Sequence, residues 1–418
     1  MVHFEKACLS NGLKVIAQFD ASTPLASVNL LYNVGSRDED PNCTGLAHLF
    51  EHLMFEGSLN VPDFDRNLQF AGGENNAFTS NDITNYYITL PAQNIETAFW
   101  LESDRMLGLD FSEEKLAIQK KVVVEEFKES FLNQPYGDTW LHLRPMVYTR
   151  HPYSWSTIGK ETAHIEQVDM QTVKAFFASH YNPSNAILTV AGNVKPDTVF
   201  ALAEKWFGDI PAGCPKVRSL PEEPEQTTAR RLVLERPVPF NRLFMAFKTS
   251  GRMHPDFYST DILSDILGSG GSSRLEQELV KNQKLFSDIQ AYTTGSIDPG
   301  LLVIEGKLND AVTFQMAEKA IWDQLNALTT DNLSDHELQK VKNMVEASYV
   351  FSENGIVARS LSLSFFELLG DASLLNTQVE QYLSVSGDAL RLAAGRIFDP
   401  SKVSVLEYRA SKNGHPND

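Results

Sequence analysis

Cysteine is scarce. Cys8, Cys43 and Cys214 are scattered and odd in number, so no disulfide framework is expected and the thiols read as free. No run of about 18 apolar residues occurs, which excludes an obvious membrane-spanning helix. Basic residues are in deficit: 36 Lys and Arg against 54 Asp and Glu give a net charge of −18. That balance argues against nucleic acid as a partner. It suits a solubilising acidic surface, or an enzyme that draws in basic peptides. The glycine-rich residues 268–273 lack the Gly-Lys-Ser/Thr ending of a phosphate-binding loop and read as a turn or hinge. The start, Met1-Val2-His3-Phe4-Glu5-Lys6, lacks both the basic-then-apolar order of a secretory leader and the Arg-rich look of a transit peptide. A cytoplasmic, bacterial-type location is therefore the expectation, and a removed leader is compatible with it.

What the chain does contain is His48-Leu49-Phe50-Glu51-His52. Residues at i, i+3 and i+4 share one face of a helix. Two imidazoles on adjacent turns can hold one zinc ion, and a carboxylate beside them can polarise a water on it. The order H-x-x-E-H inverts the commoner zinc-protease order H-E-x-x-H. Leu46, Leu49, Phe50, Leu53 and Met54 form an apolar stripe on the opposite side. Thr44 is the expected N-cap and Gly57 the expected stop. Cys43 reads as a loop or core thiol, because its spacing to His48 fits no zinc knuckle.

A catalytic zinc takes three protein ligands and keeps one position open for water. Residues 112–129 read as a second helix. Ser112 caps it, Glu113 and Glu114 suit its positive end, and Leu116, Val122, Val123 and Phe127 form its apolar stripe. Glu126 borders that stripe, where a metal would make burial of a carboxylate tolerable. Glu125 points about 100° away. Spacing alone leaves Glu125, Glu126 and Glu129 all open as the third ligand.

Three segments together resemble one known family, that of pitrilysin, insulin-degrading enzyme and the mitochondrial processing peptidase, which are zinc metallopeptidases. They are Gly45 to Ser58, Asn76-Ala77-Phe78-Thr79, and Val122-Val123-Val124-Glu125-Glu126. The resemblance implies that Glu126 joins His48 and His52 on one zinc per chain, with Glu51 as general base. It implies that Asn76, Ala77 and Phe78 lie on an edge strand to which substrate adds as a further strand. Seven residues before the ligand, the family tends to carry another glutamate. Here that supporting position is Gln119, which hydrogen-bonds but does not ionise. Family members also carry an arginine and a tyrosine after a Ser-Ser-Arg-Leu motif. Ser272-Ser273-Arg274-Leu275 is present, but the matching positions are Val280 and Ser287. A tetrahedral intermediate needs such donors. The expected partner is therefore a paralogous subunit that supplies the missing Arg/Tyr pair.

The chain reads as a duplication. Tyr181-Asn182-Pro183-Ser184 before a strand-like run is echoed by Phe398-Asp399-Pro400-Ser401 before another, each preceded by a helical stretch. Residues 261–267 are the counterpart of the histidine-bearing helix, without histidines. The expected organisation is a zinc-bearing half, 1–213, a Pro/Glu-rich linker, 214–228, and a homologous half without metal, 229–418. Strand-like runs at 13–19, 27–33 and 85–90, with helical ones at 95–106, 171–179 and 197–207, indicate an α+β class. Each half would be an α/β sandwich, a mostly antiparallel sheet with helices on one face. The resemblance adds a clamshell of two such halves.

The functional expectation is a zinc-dependent endopeptidase acting on peptides or unfolded polypeptide segments, as the catalytic subunit of a heterodimer. The alternatives are a non-catalytic scaffold subunit and a self-sufficient homodimeric oligopeptidase. A structural zinc site would call for a closed four-ligand set, usually with Cys.

Overall fold

The computed structural model describes residues 1–214, 218–330 and 333–411. They form two compact units. Unit 1 holds Met1–Glu129, His151–Pro221 and Val350–Thr377, and unit 2 holds Ser130–Arg150, Glu222–Tyr349 and the chain from Gln378 onward. Of the expected linker, residues 218–228 carry no helix or strand, and residues 215–217 lie outside the described set. Residues 331–332 and 412–418, within the expected second half, also lie outside it.

Unit 1 is built on a six-stranded sheet. Its strands are β1 (Glu5–Cys8), β2 (Lys14–Phe19), β3 (Leu25–Tyr32), β4 (Glu74–Thr79), β5 (Thr84–Pro91) and β6 (Ala186–Gly192), in the order β1-β2-β6-β3-β5-β4. Only β2 and β6 run parallel. Unit 2 has β7 (Arg230–Arg236), β8 (Arg242–Lys248), β9 (Phe286–Thr293), β10 (Leu301–Leu308) and β11 (Val403–Ala410), in the order β7-β11-β8-β10-β9. Again one pair, β7 with β11, is parallel. Strand for strand, β2-β6-β3-β5-β4 repeats as β7-β11-β8-β10-β9. The two halves are therefore homologous α/β units, as the paired Pro-Ser turns indicated.

Alternation along β3 decides what lies on each side of the first sheet. Val28, Leu30 and Tyr32 point one way, and Tyr32 meets Tyr86 and Tyr181 at centroid distances of 6.0 and 4.9 Å. Against this aromatic layer sits helix α1 (Leu46–Leu53), whose Phe50 stacks on Phe176 and Tyr181. Ser27, Asn29 and Leu31 point the other way. That face is covered by the helix Ile356–Leu368, contributed from far along the chain. The contact is partly polar: Ser27 bonds Ser360 at 2.9 Å, Asn29 donates to Ser364 at 2.8 Å, and Ser364 donates to Thr189 at 2.8 Å. All these side chains are buried, so each needs its partner.

Candidate metal centre

Helix α1 begins at Leu46, but its cap is not Thr44. Gly45 occupies the N-cap position with φ +93°, and the helix donors are taken by a carboxylate from upstream. Glu39 accepts from Gly45 N and Ala47 N, both at 2.9 Å, and from Trp155 Nε1 at 3.0 Å. The positive end of the helix dipole favours an anion there. Burial opposes it and pushes the Glu39 carboxyl up to about 8. A β-carbon on Gly45 would come within 2.7 Å of Ile158 O, so the close approach demands glycine. Thr44 instead meets His164 Nδ1 and accepts from Lys160 N. The helix ends at Leu53 with Met54 as C-cap. Gly57, at φ +109°, turns the chain afterwards rather than stopping the helix.

The second helix of the centre is the fourth along the chain. Helices α2 (Phe64–Phe70) and α3 (Ile95–Leu107) precede α4 (Glu113–Phe127). Ser112 caps α4 as expected, its side chain accepting from Lys115 N. The buried stripe is Leu116, Gln119, Val123, Val124 and Phe127; Val122, expected in it, is exposed. Glu126 lies in the last turn, just before a π-helical turn over Lys128–Leu132. Lys115 ties α4 to the end of α1's segment by donating to Glu56 O at 2.6 Å.

These two helices bring the sequence-predicted ligands together. His48 Nε2 is 3.6 Å from Glu126 Oε1, and His52 Nε2 is 3.4 Å from Glu126 Oε2. One ligand atom from each lies within 4.8 Å of the others, and among the described residues no other such trio of His, Cys, Asp or Glu occurs. Glu125 is exposed and pairs with Lys128 at 2.7 Å, and Glu129 is exposed on the π turn. Glu51 sits between the histidines, and Thr79 Oγ1, at the end of β4, donates to its Oε2 at 2.7 Å. Gln119 is buried and donates through Nε2 to Glu56 Oε1. Asn76, Ala77 and Phe78 lie on β4, the terminal strand of its sheet, and Asn76 Oδ1 takes the Ala77 N–H at 2.8 Å.

The electrostatics fit a divalent cation. Burial pushes the His48 imidazole below its ordinary range, which favours the neutral, metal-binding form. Its Nδ1 is buried with no hydrogen-bond partner. A hydrogen bond to Glu126 holds His52 up, and the same bond holds the Glu126 carboxyl down. Two imidazoles and one carboxylate are the donor set a catalytic zinc accepts.

Two members of this neighbourhood were not legible in the sequence. Glu39 has no local signal, because its role is set by tertiary approach to the helix start. Thr79 stands in the Asn76–Thr79 stretch, where the sequence shows only a strand.

In unit 2, Val280 is half-buried and packs against the apolar core, and Ser287 is exposed on β9. Neither offers a cation or a phenol.

Residues 14–147 match the Insulinase (Peptidase family M16) family, and residues 167–345 match the Peptidase M16 inactive domain. Zinc protease PqqE of Helicobacter pylori is 31% identical over 409 residues, which cover 96% of this chain and 92% of that protein. An uncharacterized zinc protease, YmxG of Bacillus subtilis, is 27% identical over 350 residues, 82% of each chain. Among solved structures, a protease from Helicobacter pylori superposes with a TM-score of 0.91 at 27% identity, covering 98% of this chain and 100% of that one. A peptidase M16 inactive domain from Pseudomonas fluorescens gives 0.87 at 19% identity, covering 97% and 98%. With both characteristic halves matched in chain order, and a relative of that identity aligned over nearly its full length, this protein belongs to the insulinase family of peptidases, M16.

Proposed function

We propose that the chain is a zinc-dependent endopeptidase that hydrolyses peptides or unfolded polypeptide segments. The observation that carries this reading is the convergence of His48, His52 and Glu126, with Glu51 on the same helix as the two histidines. The three side chains would hold one zinc, which when bound supplies Lewis acidity to a substrate carbonyl and makes a water easier to deprotonate. Glu51 takes the proton from the attacking water and returns it to the leaving amine. Gln119 stands beside His52 as a neutral support. The open edge of β4 suits an extended chain: main-chain bonding along Asn76, Ala77 and Phe78 would hold a peptide with little demand on its sequence. An incoming strand competes with the Asn76 side chain for the Ala77 N–H.

The chain works as the catalytic member of a heterodimer on this reading. Support comes from positions 280 and 287, where valine and serine supply neither the cation nor the phenol of the family's arginine and tyrosine. A paralogous subunit would bring arginine and tyrosine. A purely scaffolding role is less well supported. The match to an inactive domain covers residues 167–345, which exclude His48, Glu51, His52 and Glu126.

Metal analysis and cleavage of an internally quenched peptide test the proposal, on the chain alone and with a paralogous subunit. One zinc per chain and cleavage that Glu51→Gln abolishes are expected. Wild-type cleavage by that variant, or no zinc uptake by the parent, overturns the reading.

A further inference from the structure

The carboxylate of Glu51 is held asymmetrically. Its Oε2 accepts the Thr79 hydroxyl at 2.7 Å, and its Oε1 carries no hydrogen bond among the described residues. Thr79 is the last residue of β4, paired across to Thr84 at the start of β5. It is thus fixed by the sheet, not by the helix it serves.

Unit 2 repeats this contact. The helix Phe257–Gly268 lies between β8 and β9, as α1 lies between β3 and β4. Thr293, the last residue of β9, donates to Asp261 Oδ1 at 2.6 Å. Aligned on that bond, Asp261 stands for Glu51, Tyr258 for His48 and Ile262 for His52. The second copy therefore keeps the strand-end threonine and the helix acid while both metal-binding positions are replaced. One difference separates the copies. The remaining oxygen of Asp261 is taken by the Tyr382 hydroxyl at 2.7 Å, so both of its oxygens are occupied. In unit 1 the second oxygen is left for solvent or substrate.

We infer that Thr79 is the positioning residue for Glu51: by engaging Oε2 from the sheet, it fixes the carboxylate so that Oε1 is the atom presented to the attacking water. This inference rests on the peptidase reading above for the role of Glu51. The positioning itself rests on the bond and its repeat. The proton balance is simple. Water loses one proton to Oε1, the Thr79 hydroxyl proton stays with threonine throughout, and Glu51 later passes the acquired proton to the leaving nitrogen.

The test compares Thr79→Val, which keeps the shape and removes the hydroxyl, with Thr79→Ser, which keeps the hydroxyl. Zinc content, kcat, KM and a crystal structure are measured for the full-length chain, together with its partner subunit where activity needs one. In the valine variant kcat falls about 10- to 100-fold while KM stays within about twofold, because ground-state binding does not use this bond. Zinc content is unchanged. Serine restores most of kcat, and the Glu51 carboxylate is displaced in the valine crystal but held in the serine crystal. Equal losses for valine and serine, a loss that tracks zinc, or unchanged kcat in the valine variant each overturn the inference. If the zinc-loaded parent cleaves no peptide, the peptidase reading fails. The two crystal structures then still decide the positioning: an undisplaced Glu51 in the valine variant overturns it.

Discussion

His52 and Glu126 meet at 3.4 Å across two helices that are remote in sequence, and the hydrogen bond between them shifts both groups: His52 up, Glu126 down. The carboxylate is thus held in its ionised form and aimed at the histidine pair. Replacing it with alanine removes one of the three proposed ligands and the group that both histidines face. Glu126→Ala is expected to lose stoichiometric zinc, while Glu125→Ala, on the exposed face, keeps it. Metal analysis after exhaustive dialysis checks both. Zinc retained at full stoichiometry in Glu126→Ala would show the third ligand to be another residue.

Glu51→Gln separates binding from chemistry. The amide preserves shape and can still accept the Thr79 hydroxyl, but it cannot take a proton from water. Zinc content stays at the parental level and kcat falls by about 10²- to 10⁴-fold, the range for loss of a general base. A quenched-peptide assay at matched zinc content reads this directly.

The Glu39 carboxyl gives a pH signature of its own. Its ordinary value is 4.5, and burial raises it to about 8 in the folded chain. Between those values the unfolded chain has released the proton and the folded chain still holds it. Stability from this group is therefore fully present below about 4.5, declines as pH rises, and levels off above about 8. Urea unfolding of the parent and of Glu39→Gln across this window isolates the effect, since every other group is common to both. The difference between the two should move in favour of the variant as pH rises. A difference independent of pH would mean that the three N–H donors keep Glu39 ionised throughout.

Much of this architecture could be read from residue patterns, and the exceptions have physical causes. The strands at 14–19, 25–32, 84–91, 186–192 and 403–410 were visible because buried strands carry apolar or alternating runs. The pentad and Glu126 were visible because helix periodicity puts chemistry on one face. Thr44 and Val122 were misplaced by the same local rules. A carboxylate from outside the helix replaced the side-chain cap, and α4 turns Gln119 rather than Val122 toward the interior. The helix Ile356–Leu368 carries Ser360 and Ser364 one turn apart. Nothing local says that its Ser360 and Ser364 meet Ser27, Asn29 and Thr189 in the first unit.

That buried polar seam makes its own prediction. Ser364 accepts from Asn29 and donates to Thr189, both buried. Ser364→Ala leaves a donor and an acceptor without that partner. A loss of about 1–3 kcal/mol is expected by urea unfolding, with little change in zinc binding, because the seam and α1 lie on opposite faces of the sheet. A neutral substitution would mean that water enters the seam and replaces the hydroxyl.

The Glu102–Arg105 pair on α3 is an ion pair sealed inside unit 1. Glu102 is 0% exposed and Arg105 1%. The guanidinium donates to both carboxylate oxygens, through Nε at 2.7 Å and Nη2 at 2.5 Å. It also lies over the rings of Tyr86, Phe64 and Phe55, at 4.3, 4.8 and 5.4 Å from their centroids. Removing the acid alone strands a cation among aromatic side chains, which costs about 3–5 kcal/mol. Replacing both residues with apolar ones of similar volume removes the desolvation cost together with the attraction. Glu102→Leu should therefore be markedly less stable than the double variant Glu102→Leu/Arg105→Met, even though the double variant carries one more substitution. Urea unfolding of the parent, both single variants and the double variant closes the cycle. Tyr86 also donates to Phe50 O in α1, so zinc content measured on the same samples shows whether the damage reaches the metal helix. If Glu102→Leu proves as stable as the double variant, the aromatic rings alone carry the guanidinium, and the carboxylate is not what neutralises it.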